Sequence, residues 1–583
     1  MRVLGLSFDF HDSAAVLIED RNIVAAAAEE RFVRRKHTAE FPREAIAWAL
    51  SSTNTKLEDV DHVVFYEKPF QKFDRILTTS LASWPRSYFF FLKSMPQWLA
   101  RKLHTGRQIR KGLGADRDVL FASHHLSHAA SAFLPSPFEE AAIITADGVG
   151  EWATTSFGRG AGTAVTLESE IRFPHSLGLY YSALTAYLGF KVNDAEWKVM
   201  GLAPYGEPRF VEQFRKLIQL RDDGSFALDM RYFSHAFSTR SMINARYERL
   251  FGRPRRAPES ALEQFHNDIA RSGQQVLEEA MLNLARAVQR RTGLKKLALG
   301  GGVGLNCVAN WRMLRESGFD EIFIQPAAGD DGGALGAAAL VMAELGGTRI
   351  APMQNALFGP EWSDAQIEAD LLRLGAKPRR FERAALVQEC ARRLHAGEIL
   401  GWFQGRMEFG PRALGARSIL STAADASMKD KINARVKYRE AFRPFAPSVP
   451  KHLASRWFDV PEGLDSPFML LVPQVRPEAR ALLPAITHHD GSARIQTVTP
   501  EANALYHELL LAFGERSGIP VLLNTSFNVR GEPIVNTPEQ ALTCFRNTGL
   551  DALVIGSFIV SGKDEPVDHA RGMQASVALE QSP

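Results

Sequence analysis

Cysteine is nearly absent. The three in 583 residues, Cys307, Cys390 and Cys544, lie far apart with no CxxC pair. That excludes a zinc knuckle and speaks against a disulfide framework. Long apolar runs are missing too. None approaches the roughly 18 residues of a membrane helix, and Asp9 interrupts MRVLGLSFDF before the apolar region of a signal peptide can develop. A reduced, soluble, cytoplasmic protein with no membrane partner is expected. Nor is there an excess of charge: 69 Lys+Arg against 66 Asp+Glu leave +3, too little to argue for a nucleic-acid partner. What is there is an ordinary globular balance, 45% apolar and 23% charged, in a chain too long for one core. Two or more domains are expected.

The opening residues read as three strands, RVLGLSF, SAAVLIED and NIVAAAAEE, joined by the turns FDFHD and DRN. A helix follows from Pro42, then a strand at DHVVFY. Residues 67–115 read as irregular. Within them SYFFFLKSMPQWLARKLH carries an aromatic face that reads as packing on its own core rather than covering an acceptor. Beyond residue 118, strands alternate with helices and glycine-rich turns fall at strand ends. This is α/β logic, with ligands expected at the carboxyl ends of the strands. A second unit begins near residues 346–360, where glycine and proline break the preceding helix. The tail from about residue 565 is polar and reads as disordered.

Three features carry chemistry. In SHHLSHAAS, His124 and His128 are four apart, so on a helix they share one face about 6 Å apart, a spacing that lets two imidazoles chelate one metal ion. Capping or packing is the plainer role for such histidines, and His125 reads as structural. Asp147, ending AAIITAD, and Asp330, ending EIFIQPAAGD, each sit at a strand end before glycines. Two histidines and two carboxylates suit a divalent transition metal, iron or manganese before zinc. Asp331 is a rival to Asp330, with helix capping as its alternative. The second feature is LALGGGVGLNCVAN. There Gly301, Gly302, Gly304, Asn306 and Asn310 form a strand–glycine–helix unit that could cradle a phosphate or adenosine, although it fits neither GxGxxG nor the P-loop. The third is a basic block, residues 406–443. In it GPRALG and FRPFAP set arginines among apolar residues, where a solvated charge is unexpected, while Arg406, Lys431 and Arg439 read as a solvated face.

Taken in order, HDSAA, AEERFVRRKH, SHHLSHAAS, DGVGE, WKVMGLAPYG, GGVGLN, GDDGGALGAA, GPRALGARSI, RPFAPSV and LNTSFN run from Met1 to about Lys563. Together they resemble the O-carbamoyltransferases of natural-product pathways, including those of antibiotic assembly and nodulation. The resemblance implies an α/β protein of two domains: residues 1–350 with the actin-like ATPase fold of threonylcarbamoyl transferases, and 351–583 with a YrdC-like fold. It implies that the second domain converts carbamoyl phosphate and ATP, with Mg2+, to carbamoyl adenylate. The first then passes the carbamoyl group to a hydroxyl of a small-molecule acceptor. By matching position the metal ligands are His124, His128, Asp147 and Asp330, with Fe2+ or Mn2+ as the ion. His11 matches a general base and Lys36 a lysine of the transfer site. Asp12, in the hairpin turn that faces the phosphates in actin-like ATPases, Lys198 and the glycine–asparagine turn would meet the nucleotide. Arg412, Lys437, Arg443, Arg494, Asn524 and Ser526 would bind carbamoyl phosphate. A threonylcarbamoyl transferase acting on tRNA would want a pronounced basic surface. A nucleotide-binding regulator without catalysis would be expected to have lost His11 or a metal ligand, and each of those positions is filled.

Overall fold

The computed structural model describes residues 1–437, 439–440 and 442–564. The expected disordered tail lies outside the described residues. The chain divides into two compact units: residues 1–29 with 37–353, and residues 30–36 with 354 onward.

The first unit is built on one plan used twice. β1 (Arg2–Ser7), β2 (Ala14–Glu19), β3 (Asn22–Ala28), β4 (His62–Phe65) and β5 (Val119–Phe121) form a sheet in the order β3-β2-β1-β4-β5. Its first three strands are antiparallel neighbours, and β4 and β5 join parallel to β1. The second sheet contains β6 (Glu140–Ala146), β7 (Ala153–Ala161) and β8 (Ala164–Arg172). A small hairpin, β9 (Ile218–Leu220) and β10 (Phe226–Leu228), lies apart from it. β11 (Lys296–Gly300) and β12 (Glu321–Ile324) complete the second sheet in the order β12-β11-β6-β7-β8. In each sheet the third, second, first, fourth and fifth strands follow one another. This duplicated mixed arrangement is that of the actin-like ATPase fold.

Two helices fill the space between the sheets. The helix Asp330–Gly346 packs on β1 and β2, the helix His124–Phe133 packs on β6 and β11, and the two pack on each other. Their sequences explain how closely. A Cβ on Gly336 would lie 1.8 Å from the carbonyl oxygen of Ser127, so GALGAAAL is small because backbone passes against backbone. Both helices begin at the same end of the sandwich. That brings His124, His128 and Asp330 together from segments two hundred residues apart in sequence.

The segment read as irregular is helical: Pro69–Ala82, Tyr88–Ala100 and Thr105–Leu113. Its periodicity is obscured because apolar residues occupy outward as well as inward positions. Met95 and Trp98 pack inward as expected, while Phe89 and Leu99 face solvent.

The second unit carries one eight-stranded mixed sheet. Its strands are β13 (Arg379–Arg380), β14 (Leu400–Phe403), β15 (Arg417–Thr422), β16 (Ala446–Pro450), β17 (Gln496–Val498), β18 (Leu522–Ser526), β19 (Ala552–Ile555) and β20 (Phe558–Ser561), in the order β13-β20-β19-β14-β15-β18-β16-β17. Helices Arg383–His395 and Pro500–Ser517 pack on each other over β15 and β16, around Trp402, Tyr506 and Phe513. The segment 30–36 is tied to this unit: Arg31 donates to the carbonyl of Gly410 at 2.8 Å, and Arg34 to those of Pro533 and Ile534, both at 2.7 Å.

Candidate functional site

In the first unit, ring nitrogens and carboxylates converge. The Nε2 atoms of His124 and His128 are 3.1 Å apart. Asp147 Oδ2 lies 3.2 Å from the first, and Asp330 Oδ1 3.6 and 3.5 Å from the two. All four residues are buried, with one ligand atom from each within 4.8 Å of the others. Asp331 is not among them; its carboxylate accepts from the N–H of Gly332. Burial opposes ionising Asp147 and Asp330, yet the imidazoles hold both below the ordinary carboxylate range. Conversely, burial would lower the His124 pKa, but Asp330 and Asp147 hold it well above its usual value. Asp330 Oδ1 is buried without a hydrogen-bond donor. An orphaned acceptor facing two imidazole nitrogens is costly unless something positive sits between them. The set therefore fits a divalent metal, and these four residues could hold one.

A second ring of groups fixes the ligands. Glu67, at the carboxyl end of β4, lies 3.8 Å from His124 Nδ1 and 2.5 Å from the Lys72 ammonium. The Tyr66 hydroxyl donates to Asp330 Oδ2 at 3.1 Å. Both oxygens of Glu151 accept from the backbone N–H of His124, capping the helix. His125 turns away to Thr145, 2.7 Å from its Nδ1, and burial pushes its pKa down to about 3. Its structural reading matches this geometry. Glu67, Tyr66 and Glu151 escaped sequence reasoning. Glu67 stands near a strand end as Asp147 does, but Lys68 and Pro69 rather than glycines follow it, so the rule that found Asp147 passed over it.

The β1–β2 turn borders the cluster. Asp9 and Asp12 adopt left-handed φ values of 81° and 52°, a conformation unfavourable for residues with a Cβ and a mark of functional turns. His11 Nδ1 lies 3.0 Å from Asp12 Oδ2 and 4.0 Å from Asp330 Oδ2. A carboxylate only accepts, so Nδ1 carries the proton and Nε2 is the basic nitrogen of the neutral ring. Burial opposes protonation of His11, but Asp330 and Asp12 outweigh it and raise its pKa to about 9. The other oxygen of Asp12 is taken by His37 Nδ1 at 2.7 Å, and His37 Nε2 meets Asp194 at 3.1 Å. His37 and Asp194 are further residues that the sequence did not single out.

The glycine turn reaches the same cluster from β11. The N–H of Gly302 donates to Asp147 Oδ1 at 2.8 Å. Gly301 has φ 89°, and a Cβ there would lie 2.3 Å from the Ala146 carbonyl. Its asparagines face inward. Asn306 caps the following helix through Ala309 N–H and pairs with Gln274, and Asn310 donates to the carbonyl of Gly304. These two hold the turn's shape. Lys198, on the helix Glu196–Leu202, stands 5.6 and 5.7 Å from the ring centroids of Phe190 and Trp197.

The second unit gathers charge of the opposite sign. Lys437 ends a π-helical turn, Asn433–Lys437, a distortion frequent at functional sites. Its buried ammonium donates to the carbonyl and side-chain oxygens of Ser526 and Asn528. Burial, followed by the charges of Arg439, Arg443 and Lys36, pushes its pKa well below the ordinary lysine value. Lys36 lies in the segment that Arg31 and Arg34 anchor to this unit, and its charge is among those acting on Lys437. Arg439 feels Arg443 and Arg494 in turn. The carboxylate of Glu440 lies 3.6 Å from Arg443 and 3.4 Å from Arg530. Asn524 donates to Ser448 Oγ and Gln496 Oε1 at 3.1 Å, leaving its buried Oδ1 without a donor, as is Arg494 Nε without an acceptor. Arg412 sits half-buried in the GPRALG turn, whose shape is set by Glu408 accepting from the N–H groups of Leu414, Ala416 and Arg417.

Two residues read as a solvated face are not solvated. Arg439 is half-buried over the Phe445 ring with its Nε on Asn433, and Arg406 donates to the carbonyls of Phe358 and Gly359. Lys431 does stay outside, paired with Asp425 at 2.9 Å.

Comparison with known proteins gives two family models. "Carbamoyltransferase N-terminus" matches residues 2–339 and "Carbamoyltransferase C-terminus" residues 391–562. An uncharacterized protein of Synechocystis sp. is 47% identical, over 97% of both chains. Nodulation protein NolNO of Sinorhizobium fredii is 40% identical, over 96% of this chain and 80% of its own. Nodulation protein U of Rhizobium tropici is 32% identical, over 93% of both. Among solved structures, HypF of T. kodakarensis aligns over 59% of this chain and 48% of its own at 15% identity, with a TM-score of 0.29.

Proposed function

Because the chain belongs to the carbamoyltransferase family, we propose that this enzyme is an ATP-dependent O-carbamoyltransferase with two sites. In the second unit water hydrolyses carbamoyl phosphate to carbamate and phosphate, and a carbamate oxygen then attacks the α-phosphorus of ATP, expelling pyrophosphate and leaving carbamoyl adenylate. In the first unit a hydroxyl of a small-molecule acceptor attacks the carbamoyl carbon, and AMP leaves. The observation that carries the reading is the buried convergence of His124, His128, Asp147 and Asp330 beside His11.

The chain's own groups divide the work. Lys437, Arg443, Arg412 and Arg494 supply cationic donors for the phosphate, the arginines in forks that match its oxygens. Ser526 and Asn528 aim the Lys437 ammonium. In the first unit Asp12 fixes the His11 ring so that Nε2 faces the acceptor and takes its proton as the C–O bond forms. Such a positioned base contributes about 10²–10⁴-fold. A divalent cation on the four ligands, iron or manganese by donor type, would offset the Asp330 charge that raises His11 and balance charge building on the leaving phosphate.

The test is incubation with carbamoyl phosphate, ATP and a panel of hydroxylated acceptors. Pyrophosphate release together with the mass gain of one carbamoyl group on an acceptor is the expected result. Absence of pyrophosphate release from carbamoyl phosphate and ATP would overturn the two-site reading.

A further inference from the structure

The three helices Pro69–Ala82, Tyr88–Ala100 and Thr105–Leu113 take no part in either cluster beyond the Lys72 contact. Their surface is unusual in two ways. Residues 68–115 contain ten lysines and arginines against one acid, Asp74, while the rest of the chain is acidic, with 59 basic residues to 65 acids. Lys72 and Arg75 are buried; the other eight cations reach the surface. The second oddity is apolar exposure. Of twelve large hydrophobic side chains exposed among the described residues, seven lie between residues 70 and 99, with Phe89 78%, Phe70 72%, Leu99 57% and Leu92 51% exposed. Phe89, Leu92 and Leu99 fall three and seven apart, on one stripe of their helix. Met95, between Leu92 and Leu99 in the helical spacing, and Trp98 next to it are buried, so the exposed residues border the packed face. Phe89, Leu92 and Leu99 are thus left facing solvent within the unit.

The flanking helices of the segment enclose a cavity of about 560 Å³ lined by Lys68, Phe70, Leu103, His104, Arg107 and Arg110, among others. Among the described residues Arg110 has only the fully exposed Asp116 for an ion pair, at 3.4 Å. Cations around a cavity, in the same helical segment as exposed phenylalanines and leucines, match one kind of surface: phosphate headgroups over an apolar layer. A second copy of the chain would bring the same positive charge to the contact and repel it. A single-stranded nucleic acid would engage the aromatic rings and cations but give Leu81, Leu92 and Leu99 nothing to bury in.

We infer that the 69–113 helices seat the enzyme on an anionic lipid surface, with headgroup phosphates in the Arg107–Arg110 cavity and the Phe89–Leu99 stripe in the acyl layer. Among the described residues no helix is long and apolar enough to cross a membrane, so the association is peripheral. The expectation of no membrane partner rested on spans alone; a surface of this kind leaves no long apolar run in the sequence. This inference goes beyond the carbamoyl chemistry and does not depend on it.

Flotation of the full chain with vesicles tests it, comparing phosphatidylcholine alone with phosphatidylcholine containing phosphatidylglycerol. The protein should float with the second and not the first, and high salt should release it. Each surface cation contributes about fivefold to such binding, so R107E/R110E should weaken it by at least about tenfold. F89S/L92S should weaken it at unchanged headgroup charge. Both pairs lie on the exposed face, and unchanged thermal melting of the variants separates lost docking from lost folding. Three outcomes would overturn the inference: no flotation with phosphatidylglycerol, flotation indifferent to both variants, or binding of monomeric short-chain phosphatidylglycerol without vesicle binding, which would leave a soluble-anion site. Stronger capture by single-stranded RNA or an acidic protein than by vesicles would overturn it as well.

Discussion

The two units each bury a polar cluster, and the clusters are of opposite sign. In the first, two carboxylates and two imidazoles face one point, and burial is outweighed by their mutual attraction. In the second, Lys437, Arg439, Arg443 and Arg494 gather with Glu440 among them, and burial, followed by the neighbouring cations, pushes the pKa values of Lys437 and Arg439 down. Buried like charges are expensive to keep together. A chain that holds them so is organised for a ligand of the other sign: a cation in the first unit, an anion in the second. The contrast agrees with the proposed division of labour, in which the anionic phosphates are handled where the arginines are and the acceptor's proton where the imidazoles are.

The comparison can be broken most forcefully in the first unit. His124→Ala or Asp147→Ala should remove bound iron or manganese and abolish carbamoyl transfer, while pyrophosphate release from carbamoyl phosphate and ATP persists. Full metal occupancy by elemental analysis in both variants would end the metal assignment. A smaller effect is expected one residue away from the cluster. His11→Asn should keep the metal and pyrophosphate release but slow transfer by about 10²–10⁴-fold, the contribution of a positioned base. Loss of both half-reactions would make His11 a shared structural support instead. On the other side, Arg443→Ala should raise the carbamoyl-phosphate KM by about 10–100-fold, the equivalent of about 1.5–3 kcal/mol for one charge-assisted hydrogen bond, with metal content unchanged. Wild-type kinetics there would place the phosphate elsewhere.

The strands of the first unit and the pairing of His124 with His128 were legible because both are local: alternation, strand-end acids and an i, i+4 spacing need only a dozen residues of context. Asp330 was legible for the same reason, and its separation from Asp331 was not, since that depends on which carboxylate points between two helices. Lys36 shows the limit more sharply. Its motif lies among residues of the first unit, but its segment is anchored by Arg31 and Arg34 to carbonyls five hundred residues on in the case of Arg34, and no local pattern encodes that. The exposed stripe of the 69–113 helices misled in the opposite direction. Apolar residues are read as core by default, so a helix that leaves Phe89, Leu92 and Leu99 in solvent looks irregular. His37 and Asp194 were invisible because their link to Asp12 exists only through a backbone turn with left-handed residues at both ends.

The finest distinction between the clusters is their response to pH, and Lys437 carries it. Burial and the neighbouring cations depress its pKa, while the oxygens of Ser526 and Asn528 work against that, and the net direction is down. The ammonium form is the one that attracts a phosphate. Affinity for carbamoyl phosphate is therefore full below the depressed pKa and is lost as pH rises through it, at a pH below the ordinary lysine value of about 10.4. The carbamoyl-phosphate KM of pyrophosphate release should accordingly climb several-fold toward alkaline pH, with the remaining arginines limiting the rise. Lys437→Arg sharpens the test, because a guanidinium stays charged throughout this range. The variant should bind with a flat profile, weaker at neutral pH if the longer fork misfits the Ser526 and Asn528 oxygens. A wild-type KM that stays level to the alkaline limit, or a Lys437→Arg profile that climbs in parallel with it, would remove Lys437 from the phosphate site and leave the arginines to hold the anion.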